Sequence, residues 1–121
     1  MRYLAKPESF TGTDSVILDE ARPGGLEIAR QVGTALGYYV SEFDPNARAL
    51  SLATHPNVAR LIFVGSHEQS AMRVLLSEDA RLFDLRITVS GEFHTGGAEE
   101  RANTALREFK VRLSEAAKKP R

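Results

Sequence analysis

The sequence predicts an α+β fold: a mainly antiparallel sheet of four or five strands, with two or three helices packed on one face, including a long C-terminal helix. Three observations carry this. Phe83, Leu85, Ile87 and Val89 alternate with Asp84, Arg86, Thr88 and Ser90, the period-two pattern of a strand with one wet face. Ala98, Ala102, Ala105, Leu106, Phe109, Leu113 and Ala116 recur at helical spacing. Asp44-Pro45-Asn46, with Asp and Pro where a type I turn prefers them, separates two runs of strand formers.

The elements follow in order. Residues 1–13 are polar and turn-rich and read as a loosely ordered lead-in, with room for a short strand at 2–5. Ser15 to Leu18 is a short apolar run between acidic residues, a strand candidate. Pro23-Gly24-Gly25 opens a helix whose stripe is Leu26, Ala29, Val32, Gly33 and Leu36, and Gly37 stops it. Gly33 inside that helix costs up to about 1 kcal/mol against Ala, so it points to close packing on another element. YYVSEF and ALSLA flank the Asp44 turn as a hairpin, and Val58 to Val64 follows the turn at His55-Pro56-Asn57 as a third strand. Ser66 and Gln69 then form the S-x-x-Q capping box, and Ala71, Met72, Leu75 and Leu76 keep helical spacing. The segment 67–79 therefore reads as a helix, with a hairpin strand at 70–78 as the rival. After the strand at 83–89 and the glycines 91, 96 and 97, the C-terminal helix carries the i,i+4 pairs Glu108–Arg112 and Glu115–Lys119, and residues 118–121 read as a frayed tail.

One domain spans 1–121, since the length sits at the commonest domain size and no linker or repeat divides the chain. Sixteen basic residues balance sixteen acidic ones, so composition supplies no broad positive field for nucleic acid or anionic membrane. No window approaches the roughly 18 apolar residues of a membrane span. The absence of cysteine removes disulfides, thiolate nucleophiles and thiolate metal sites. No signal-peptide pattern opens the chain, and a cytoplasmic location is expected unless a signal has been removed.

Two groups of residues are candidates for a site. Ser66, His67 and His94 lie near predicted strand ends and are candidates for ligand binding. Ser66-His67-Glu68 lacks the G-x-S-x-G elbow of a nucleophile, and one mechanism, a helix cap, accounts for Ser66, Glu68 and Gln69. His55, His67 and His94 show no metal-ligand spacing, so no metal or cofactor is expected. Asp84, Arg86, Thr88 and Ser90 form the polar side of the alternating strand and are candidates for contact with a protein.

The piece IFVG resembles the first sheet motif of RNA-recognition domains, but the later strand lacks the basic–Gly–aromatic–Gly sequence those domains carry. The order of elements resembles that of small secretion-chaperone-like α+β domains, a likeness of architecture that no motif carries. The resulting expectation is a non-catalytic protein-binding domain: an adaptor, chaperone-like or immunity-type inhibitor protein acting through its sheet face or an edge strand. Its partner would be another protein or itself, as a homodimer. The competing expectation is a small-molecule or enzymatic pocket between the sheet and the C-terminal helix.

Overall fold

A computed structural model of the chain describes residues 6–54, 68–93 and 96–118. The elements in chain order are β1 (Lys6–Ile17), α1 (Gly25–Ala35), β2 (Tyr38–Asp44), β3 (Ala49–Thr54), β4 (Gln69–Leu76), β5 (Leu82–Phe93) and α2 (Gly97–Lys118). The strands make one five-stranded sheet in the order β1-β5-β4-β3-β2, every neighbour antiparallel. Both helices lie on the same face of it, α2 over β1 and β5 and α1 over β2, β3 and β4. The expected α+β class is the observed one, with two helices among the described residues.

Period-two alternation builds the sheet. Phe83, Leu85, Ile87 and Val89 of β5 point inward, opposite Leu76, Val74 and Met72 of β4 and, one strand further, Leu50 and Leu52 of β3. Against this layer α1 sets Leu26 and Ala29, and α2 sets Ala98, Ala102, Leu106, Phe109, Leu113 and Ala117. The last buried turn of α2 uses Ala117, four residues after Leu113, while Ala116 stays half-buried. Burial of these side chains is the main favourable contribution to folding, at about 1.5–3 kcal/mol for each large one.

Two elements correct the sequence reading. The helix expected over 67–79 is strand β4 across Gln69–Leu76. Its residues alternate exposed and buried from Ala71 to Leu76, so Leu75 faces outward and the run Val74-Leu75-Leu76 is not a helical stripe. Pairing with β3 and β5 on both sides overrides the local helical signal. The lead-in expected over 1–13 is strand from Lys6 onward, paired with β5 along its whole length, and the Ser15–Leu18 candidate is only the end of that strand. The expected strand at 58–64, the candidate strand at 2–5 and residues 119–121 of the tail expected over 118–121 lie outside the described residues, while Lys118, expected to open that tail, is the last residue of α2.

Two tight hairpins hold the middle of the sheet. In the β2–β3 turn, Asp44 Oδ1 accepts from the amides of Asn46 and Ala47, both at 3.1 Å, and Arg48 takes a left-handed φ of 53°. In the β4–β5 turn, Ser77 Oγ accepts from the amides of Arg81 and Leu82 at 3.3 and 3.1 Å.

Polar contacts from β1 and from the loop that follows it pin α2 along its length. At the N-terminus, the Glu8 carboxylate of β1 accepts from the amides of Gly96 and Ala98 at 3.3 and 3.2 Å. The first-turn amides of a helix lack intrahelical partners, and an anion there is also favoured by the helix dipole. In the middle, Lys110 Nζ donates to Asp14 Oδ1 at 3.0 Å. At the C-terminus, Arg22 Nε donates to the Ala117 carbonyl at 2.6 Å. Glu8→Ala is expected to destabilise the fold by about 1 kcal/mol, the usual scale for a lost N-terminal cap. Urea denaturation checks this, and Glu8→Gln should lose less than Glu8→Ala.

Candidate interaction face

The side of the sheet away from the helices is uncovered among the described residues. Register assigns its residues in rows that run across the strands. One row is Thr13, Arg86, Arg73 and Ser51, ending at Glu42 of β2. The next is Ser15, Asp84, Leu75 and Ala49. On the other side of the arginines come Thr11, Thr88, Ala71, Ala53 and Tyr39, and then Ser9, Ser90 and Gln69. All four residues expected to contact a protein, Asp84, Arg86, Thr88 and Ser90, therefore share this face on β5.

The structure adds residues that the sequence reading missed. Thr11 and Thr13 come from the part of β1 read as lead-in, Ser15 from the short strand candidate that ends it, and Arg73 and Leu75 from β4, read as a helix. The signal was present as two alternations, Ser9-Thr11-Thr13-Ser15 and Gln69-Ala71-Arg73-Leu75, each on the wet side of its strand.

Arg73 and Arg86 sit directly opposite each other on β4 and β5. Like charges in that relation are unfavourable. Arg73 is partly neutralised: its Nη1 donates to Ser51 Oγ at 3.0 Å and lies 3.3 Å from Glu42 Oε1. The Arg86 and Asp84 side chains have no hydrogen bond or ion pair with any described residue. Around them Thr13, Ser15 and Leu75 complete a shallow hollow of about 530 Å³. Among the described residues, three of the five large exposed apolar ones also belong to this face: Ile17 (74% exposed), Leu75 (40%) and Tyr39 (40%).

The space between sheet and α2 has a different character. Phe109 and Leu113 are fully buried there, and no buried polar or charged side chain occurs among the described residues. On its flank Tyr38 is half-buried, and burial, with the Glu108 carboxylate nearby, holds its phenol above the ordinary tyrosine range. The fold thus favours the neutral phenol. That contribution is complete below about pH 10, the ordinary tyrosine value, and is lost as pH rises through the higher folded pKa. A spectrophotometric titration should show one tyrosine ionising late, and Tyr38→Phe should remove that late step.

Ser66, His67 and His94 lie outside the described residues. Glu68, read in sequence as a first-turn helix residue, forms an ion pair with Arg101 of α2 at 3.4 Å. Among the described residues no group of three or more His, Cys, Asp or Glu could hold a metal ion, and no helix is long and apolar enough to cross a membrane.

No protein-family model and no curated protein matches the chain. Among solved structures, it is similar to an uncharacterized protein from Rhizobium leguminosarum, with 13% identity, a TM-score of 0.48, and coverage of 93% of this chain and 99% of that one.

Proposed function

We propose that this chain is a non-catalytic binding domain that meets another protein chain through the open face of its sheet. The observation that carries the reading is the contrast between the two faces. The helix-covered side is closed over an apolar core. The open side presents two opposite charges without a partner among the described residues, a row of hydroxyls and three exposed apolar side chains. A strip that mixes aromatic and aliphatic anchors with uncommitted charge is the composition of an interface. The interior between sheet and α2 is filled by apolar side chains, Phe109 and Leu113 among them; the polar hollow of about 650 Å³ beside Asp14, Asn103 and Lys110 lies open at the β1 edge rather than enclosed under the helix.

The size of the native complex tests this. Tagged protein expressed at native level should elute from gel filtration of a gentle lysate well ahead of its monomer. Thr88→Arg, in the middle of the open face, should move it to the monomer position. Glu108→Lys, on the exposed side of α2, should not. Elution unchanged by Thr88→Arg, or a wild-type monomer in the lysate, would contradict the reading.

A further inference from the structure

We infer that the partner this face fits is the same face of a second copy of the chain; the inference rests on the open-face reading above. Asp84 and Arg86 are two residues apart on one side of β5, about 7 Å in a strand. Opposite charges at that spacing are self-complementary. A two-fold axis lying between two stacked sheets and crossing β5 at Leu85 lays Asp84 of each copy over Arg86 of the other. An isologous contact requires this reciprocity: residue i meets j, and j meets i.

The same operation arranges the neighbours. Ser15 falls over Thr13 of the second copy, Leu75 over the stem of Arg73, and Ile17 over Thr11. Two exposed apolar side chains, Ile17 and Leu75, are thereby covered. The repulsion between Arg73 and Arg86 is relieved by a carboxylate brought from the other copy. Sheets stack about 10 Å apart, a gap that an Arg reaching toward an Asp can span. The chain's formal net charge of zero leaves no long-range repulsion to oppose the encounter.

Sedimentation equilibrium on four samples tests the pairing: wild type, Asp84→Arg alone, Arg86→Asp alone, and an equimolar mixture of the two variants. Wild type should dimerise. Each single variant faces like charge with like charge in its own dimer and should associate at least ten-fold more weakly. In the mixture, two positive groups of one variant meet two negative groups of the other, so dimer should return to near the wild-type level. Matching melting temperatures show that the variants fold. A monomeric wild type at millimolar concentration, or a mixture no more associated than its components, would overturn the inference. If wild type is monomeric while Thr88→Arg still dissolves a native complex, the second copy is excluded and the open face stands as a surface for a different protein.

Discussion

Phe109→Ala is expected to destabilise the fold by about 3–5 kcal/mol, the range for truncating a buried aromatic. Phe109 is fully buried at the centre of the stripe by which α2 sits on β1 and β5. Its ring belongs to the cluster that includes Phe83, Leu85 and Ile87, so truncation removes transfer free energy and leaves a cavity. Total stabilities of such domains are about 5–15 kcal/mol, so this loss is a large share of the total and should lower the urea midpoint markedly. Urea denaturation gives the difference directly. A loss below about 1 kcal/mol would mean that α2 does not close the sheet, and the two-faced architecture would fall with it.

Gly33→Val comes next. Gly33 sits where α1 crosses β3, and a Cβ built there would stand 2.9 Å from Leu52 Cδ2 and closer still to Cδ1. Leu52 is 1% exposed and is held between β2 and β4, so it has little room to yield. Overpacking of this kind costs about 1–3 kcal/mol. Gly33→Ala supplies a test by sign. Helix propensity alone would stabilise the protein by up to about 1 kcal/mol. The contact with Leu52 predicts net destabilisation instead, and a rise in melting temperature for Gly33→Ala would refute the close approach.

That glycine also shows what a sequence can reveal. A helix-disfavouring residue in an otherwise sound amphipathic stripe had one economical explanation, and the packing supplies it. The stripe of α2 and the alternation of β5 were equally plain, because each is long and only one periodicity fits. β4 was misread for a physical reason. Leu75 is apolar but points outward, so its strand shows three consecutive apolar residues, and the S-x-x-Q pattern beside them imitates a helix start. Most of β1 was read as lead-in, and only its end as strand, because its inward positions include Gly12 and Asp14. Both lie under the flank of α2 rather than over the core: Gly12 faces Leu106 and Asn103, and Asp14 meets Lys110. An edge strand beneath a helix flank needs little apolar content, so hydropathy does not mark it. The β5 residues of the candidate face followed from their alternation alone. The residues that flank them, including the arginine opposite Arg86, came from these two misread strands.

Site-specific photocrosslinking measures directly whether the open face carries a partner. A photoreactive amino acid is placed at Thr88 on the open face or at Glu108 on the exposed side of α2, and the protein is irradiated in its native cells. One discrete crosslinked protein species is expected from Thr88 and none from Glu108. A discrete species from Glu108 with none from Thr88 would contradict it.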